Sequence, residues 1–152
     1  MAYELRPYQK ECKDILDKTP TGNHLVVMAT GLGKTVVMTH LKRNGRVLLL
    51  SHRDELVRQP EKYFDCSFGI EKAEEHAGDE EVVSASVQSL SRPGRMKRFA
   101  PDAFDTIIID EAHHSAAKSY RAVLDYFSGA KRRIGFTATT QRGDNVRLTD
   151  VF

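Results

Sequence analysis

Apolar residues in this chain gather in short unbroken runs rather than in alternation. His24-Leu25-Val26-Val27-Met28, Arg46-Val47-Leu48-Leu49-Leu50, Val82-Val83-Ser84-Ala85, Thr106-Ile107-Ile108-Ile109 and Ile134-Gly135-Phe136-Thr137 each read as a strand. A continuous run implies a strand covered on both faces, the habit of parallel strands between helical layers. The segments between the runs carry helical signals. Pro7 suits a first helical turn, and Tyr8, Cys12, Ile15 and Leu16 then share one stripe. Lys34 to Leu41 follows a glycine-rich turn, Asp54 to about Tyr63 forms a helix that Pro60 must kink or end, and Ala116 to Phe127 sets Tyr120, Val123, Leu124 and Phe127 at helical spacing before Gly129. Strand and helix in alternation predict an α/β fold: a three-layer parallel sheet with helices on both faces and right-handed crossovers. Ligands of such sheets sit at the carboxyl ends of the strands.

Length and composition narrow this picture without redirecting it. The 152 residues make one domain, 40% are apolar and 29% charged, and the formal net charge is +2. No apolar stretch approaches the roughly 20 residues that span a bilayer, and the opening MAYELRPYQK lacks the apolar segment of a signal peptide. Cys12 and Cys66 form no CxxC pair and read as idle thiols of a cytoplasmic protein. Charge is unevenly spread. Arg92, Arg95, Lys97 and Arg98 cluster, Lys131, Arg132 and Arg133 are contiguous, and Glu71, Glu74, Glu75, Asp79, Glu80 and Glu81 form an acidic stretch. Each run reads as a solvated face, and the basic ones also as a local track for a phosphate backbone.

Two segments carry chemistry. After the first strand comes Ala29-Thr30-Gly31-Leu32-Gly33-Lys34-Thr35 and then a helix. Glycines let backbone N–H groups converge on an anion, and the helix adds its positive N-terminal dipole. Lys34 can reach the β- and γ-phosphates of a nucleotide, and the Thr35 hydroxyl can bind Mg²⁺. The full phosphate-loop pattern GxxxxGK[ST] is not met, because Met28 stands where its first glycine belongs. The fourth strand ends in Asp110-Glu111-Ala112-His113-His114. Here Asp110 can hold Mg²⁺ while Glu111 polarises an attacking water. Zinc on His113 and His114, with Asp110, Glu111 or His52, is the competing reading, but HExxH spacing is absent.

Together these segments resemble the first RecA-like lobe of a superfamily 2 helicase of the DEAD/DEAH type, over nearly the whole chain. Leu5-Arg6-Pro7-Tyr8-Gln9 is similar to the family's adenine-reading motif, which implies base contacts from Arg6 and Gln9; a carboxamide's paired donor and acceptor suit adenine. Ala29 to Thr35 resembles the phosphate loop, and Asp110 to His113 the DEAH box, with His113 linking the γ-phosphate region to the next motif. Ser51-His52-Arg53-Asp54-Glu55-Leu56 resembles the motif bordering the nucleic-acid track, implying contacts from His52 and Arg53. Val87-Gln88-Ser89-Leu90 resembles a segment that turns Gln88 toward nucleic acid, although a Gln-Ser pair after a strand also suits a helix cap. Thr137-Ala138-Thr139 is similar to the motif coupling hydrolysis to lobe movement, with Thr140 in place of the usual proline. The His-Arg-Asp-Glu-Leu string and the doubled histidine point to bacterial or phage helicases related to restriction-enzyme motor subunits.

The resemblance implies an ATP- and Mg²⁺-dependent hydrolase acting on nucleic acid, DNA ahead of RNA. Residues 1–152 match only the N-terminal lobe. The family's second lobe carries arginine fingers worth about 10³–10⁵ in rate at related sites. The lobe by itself is therefore expected to hydrolyse ATP barely, if at all. A non-motor phosphate-loop protein, such as a small-molecule kinase, shares the loop and the sheet but gives no reason for Leu5 to Gln9 upstream or Thr137 to Thr139 downstream.

Overall fold

The computed structural model describes residues 7–137 apart from 20, 28–30, 53–56, 73, 93 and 111–117, with the side chains of 8, 31–34 and 59 also outside that description. In chain order the elements are α1 (Pro7–Asp17), β1 (Gly22–Val27), α2 (Gly31–His40), β2 (Val47–Ser51), a 3-10 turn (Gln59–Tyr63), β3 (Phe68–Glu71), β4 (Val82–Ser86), α3 (Val87–Leu90), a second 3-10 turn (Met96–Arg98), β5 (Thr106–Asp110), α4 (Lys118–Tyr126) and β6 (Arg132–Thr137). The six strands form one sheet in the order β1-β6-β5-β2-β4-β3, and every pairing is parallel.

Side chains along the central strands divide between two cores, as the strand's twofold alternation requires. Leu48, Leu50, Val83, Ala85, Ile107 and Ile109 face α3 and α4, meeting Leu90, Tyr120, Val123, Leu124 and Phe127. Val47, Leu49, Val82, Ile108, Ile134 and Phe136 face α1 and α2, meeting Leu16, Val37, Met38 and Leu41. The three-layer α/β expectation therefore holds. The interior strands are buried along nearly their whole length. The first apolar run behaves differently: β1 is an edge strand, and Val27 is half exposed. Its apolar residues cover one neighbour, not two.

A sixth strand, β3, lies outside the five runs read from sequence. It has four residues, alternates in burial and contains Gly69. A Cβ at Gly69 would stand 3.0 Å from that of Ala77, with the Glu80 carboxylate closer still, so the close approach of the following loop demands glycine. Pro60 acts as its ring predicts, since it sits at the start of a 3-10 turn rather than in a helix interior. Gly129 follows α4, but not as a left-handed cap; a Cβ there would lie 2.9 Å from the Asp102 backbone.

The charge runs are corrected in one respect. Glu71 is fully buried, and its carboxylate accepts from the Ala77 N–H at 2.8 Å, Arg95 Nε at 2.6 Å and Arg98 Nη1 at 2.7 Å. Part of the acidic stretch thus pairs with part of the basic cluster, and neither Arg95 nor Arg98 belongs to a purely solvated face. Burial alone would raise the Glu71 pKa, but the Ala77 amide and the two guanidiniums outweigh it and hold it below the usual glutamate value. Arg132 is also buried, and Arg133 Nη2 donates to the Leu124 carbonyl at 3.0 Å.

Candidate nucleotide-binding site

Parallel register sends the carboxyl ends of β1, β2, β4, β5 and β6 to one rim. Asp110 stands beside Phe136, and Thr137 beside Val27. One position further back, Leu50 stands beside Ile109. Ser51 stands beside Ser86. The residues singled out from sequence on these strands therefore reach the same edge.

The phosphate segment leads into α2, whose backbone is helical from Gly31. The first four N–H groups of any helix lack intrahelical partners, so Gly31 to Lys34 present amides and the positive end of the dipole at this rim. Thr35, just after the first turn, and Asp110, at the end of β5, line one small recess with Met38, Leu49, Leu50, Ser51, Pro60 and Ile108. Hydroxyl and carboxylate oxygens beside a helix N-terminus suit a hard divalent cation and the phosphates it accompanies. Of the groups a Mg-nucleotide would need, Thr35 and Asp110 are the described ones at this recess with oxygens of the right kind. Gln9 is buried in the first turn of α1, and α1 packs on α2. Thr137 is buried at the end of β6.

Around β2 and β4 the structure brings two more candidates together. Ser86 caps α3, its hydroxyl accepting from the Ser89 N–H at 3.4 Å. The same hydroxyl donates to Gln88 Oε1 at 3.0 Å, while Gln88 Nε2 donates to the His52 carbonyl at 2.6 Å. The cap is thus Ser86, one position before the segment that had suggested it, and Gln88 ties the end of β2 to α3. Gln88 remains exposed and His52 half-buried. Sequence reasoning missed Ser86 at this rim and quoted Ser51 only as the opening of the motif after the second strand. Their only signal as rim residues was a small hydroxyl closing an apolar run.

Several candidates lie outside the described residues: Arg6, Thr30, Arg53, Glu111, His113 and Thr139, together with the side chains of Leu32 and Lys34. Cys12 and Cys66 are free and half-buried, and burial pushes both thiols above their ordinary pKa, which suits inert sulfurs. Among the described residues no helix is long and apolar enough to cross a membrane.

Comparison with known proteins bears on this geometry. The Pyrococcus furiosus Hef helicase domain superposes with a TM-score of 0.74 at 22% identity, covering 95% of this chain and 35% of that one. The UvsW helicase of bacteriophage T4 superposes with a TM-score of 0.75 at 15% identity, covering 97% and 57%. These likenesses establish the RecA-like fold. The putative ATP-dependent helicase IRC3 of Saccharomyces cerevisiae is 36% identical over 97% of this chain and 25% of its own length. The type I restriction enzyme EcoAI endonuclease subunit of Escherichia coli is 36% identical over 84% of this chain and 18% of its own length. The chain thus spans a quarter or less of these two curated relatives. The family model described as type III restriction enzyme, res subunit, matches residues 2–142. The chain belongs to that family, as a RecA-like lobe of the superfamily 2 helicase kind.

Proposed function

We propose that this chain is the N-terminal, ATP-binding lobe of an ATP-dependent motor that moves on nucleic acid, completed by a second lobe outside this sequence. The observation that carries the reading is the shared recess of Thr35 and Asp110 at the carboxyl rim, beside the N-terminus of α2. The relatives' names support it, since IRC3 is called an ATP-dependent helicase and a Sulfurisphaera tokodaii relative a DNA 3'-5' translocase.

In this reading Gln9 and Arg6 take the adenine, and the amides of Thr30 to Lys34 cradle the phosphates. Lys34 offsets their charge. Thr35 and Asp110 would hold Mg²⁺, which when bound screens the phosphate oxygens and polarises the γ-phosphate. Glu111 orients the attacking water, and His113, Thr137 and Thr139 relay the outcome toward the second lobe. His52, Arg53 and Gln88 border the nucleic-acid track. DNA is the favoured track, in keeping with the named restriction and translocase relatives. Two idle thiols suit a reducing compartment, and we place the protein in the cytoplasm.

The test is ATP turnover by the full-length protein with and without DNA, alongside Glu111→Gln. DNA should stimulate turnover, and the variant should retain ATP while losing hydrolysis. Normal turnover by Glu111→Gln would overturn the assignment of the base, and DNA-independent transfer to a small acceptor would favour a kinase.

A further inference from the structure

Arg132 opens β6, at the rim opposite the recess, and is 2% exposed. Its guanidinium reaches three elements. Nη1 donates to the Leu16 carbonyl at 2.8 Å, Nη2 to the Lys42 carbonyl at 3.3 Å, and Nε to Thr106 Oγ1 at 3.3 Å. Leu16 belongs to the last turn of α1, and Lys42 lies just past the end of α2 at His40. A helix C-terminus carries the negative end of the dipole, so a buried cation suits the Leu16 carbonyl, which also accepts from the Thr19 N–H at 3.1 Å, and the same guanidinium holds the Lys42 carbonyl just beyond α2. A second tie joins the same two ends, since the Lys42 N–H donates to Asp17 Oδ1 at 2.8 Å.

These ties matter because α1 is otherwise lightly held. Among its described side chains only Gln9 and Leu16 are buried, and Ile15 is 56% exposed. Among the described side chains of α1, Leu16 is the buried apolar anchor, with Cys12 partly buried beside the same core, and it lies at the clamped end. Gln9 lies at the other end, about 10 Å away at the rise of an α-helix. The opposite end of α2 carries the phosphate loop. A small tilt of α1 about its clamped end would therefore move Gln9 relative to the phosphates and leave the phosphate loop in place.

We propose that Arg132, assisted by Asp17, is a positioning residue that sets the base-reading end of α1 against the phosphate loop and so governs the choice of adenine over guanine. This rests on the reading of Gln9 as the adenine contact. Arginine is needed because its planar fork reaches one carbonyl in α1 and another just past α2, which the point charge of a lysine cannot do.

The experiment is competition binding of Mg-ATP and Mg-GTP to the full-length protein, comparing wild type, Gln9→Ala, Arg132→Lys and Asp17→Ala. The readout is the ratio of the two dissociation constants, because loss of folded protein weakens both nucleotides alike and leaves the ratio unchanged. Gln9→Ala should lower ATP preference by about three- to tenfold, the worth of a neutral hydrogen bond. Arg132→Lys should lower it in the same direction, and Asp17→Ala to a smaller extent. If Gln9→Ala lowers the ratio while both clamp variants keep it, the positioning role is overturned and Arg132 is a stability element alone. If Gln9→Ala leaves the ratio unchanged, the adenine reading itself fails and the clamp's effect through Gln9 falls with it. Should Arg132→Lys fail to fold, Asp17→Ala decides, since Asp17 lies at the margin of the core rather than inside it.

Discussion

The two rims of the sheet handle charge and polarity in opposite ways. At the amino rim, cations are spent on the protein itself. Arg132 donates to the carbonyls of Leu16 in the last turn of α1 and Lys42 just past α2, and Arg46 donates to the Glu80 and Gly78 carbonyls at 2.9 and 2.7 Å while lying over the Phe104 ring. At the carboxyl rim, Thr35, Ser51 and Asp110 line a small recess near the start of α2. The difference follows from parallel strands and their helices. Their crossovers place helix C-termini, rich in orphan carbonyls, at one rim, and helix N-termini, rich in orphan amides, at the other. Cations therefore stabilise the first rim, and anionic ligands suit the second.

That contrast can be broken by single substitutions. The largest effect belongs to Asp110→Ala, which should lower ATP hydrolysis by the full-length protein about 10²–10³-fold, as loss of a positioned electrostatic group does. The same change should alter unfolding free energy by under about 1 kcal/mol. A large stability loss with intact turnover would reverse the roles assigned to the rims. Arg132→Met should act the other way, costing about 3 kcal/mol in denaturant unfolding, because the Leu16 and Lys42 carbonyls and the Thr106 hydroxyl each lose a contact with the buried guanidinium that ties α1, the end of α2 and β5 together. A change below about 0.5 kcal/mol would show the amino rim to be dispensable.

Glu71 sharpens the comparison, since it is an anion met by protein cations away from the recess. Its folded pKa is depressed below the unfolded value of about 4.3. Its stabilisation is then complete above that value and is lost as pH falls through the lower folded pKa. Glu71→Gln should cost about 2 kcal/mol at neutral pH, because Arg95 and Arg98 keep their charge without the partner. It should also flatten the acid limb of a stability-against-pH curve; an unchanged acid limb would remove Glu71 from the account. The smallest effect is expected of Ser86→Ala, which removes the cap of α3 at about 1 kcal/mol in thermal unfolding. It should loosen Gln88 as well, since the Ser86 hydroxyl donates to its carboxamide.

The architecture was largely legible because its signals are local and strong. Unbroken apolar runs marked β2, β4, β5 and β6, and the structure buries them between two helical layers. The same rule overreached at β1, where a similar run turned out to be an edge. Continuous apolarity reports that a strand is packed, not how many neighbours it has. β3 was invisible because four residues with an internal glycine and a terminal glutamate imitate a turn. Glu71 looked like one member of an acidic surface run, and only the return of the chain through Arg95 and Arg98 makes it buried. Arg132 likewise sat in a triplet of cations that its neighbours gave no means of ranking.

By itself, the sequence determined the order of the elements apart from β3, the parallel character of the sheet, and the placing of Thr35 and Asp110 at one rim. These depend on hydrophobic period and on residue types at strand ends, which neighbours along the chain specify. Only the tertiary structure decided which charges serve the fold. The guanidinium partners of Glu71 are 24 and 27 residues away, and the carbonyl partners of Arg132 are 116 and 90. Pairing over such separations is set by how helices dock on the sheet, and composition holds no record of it.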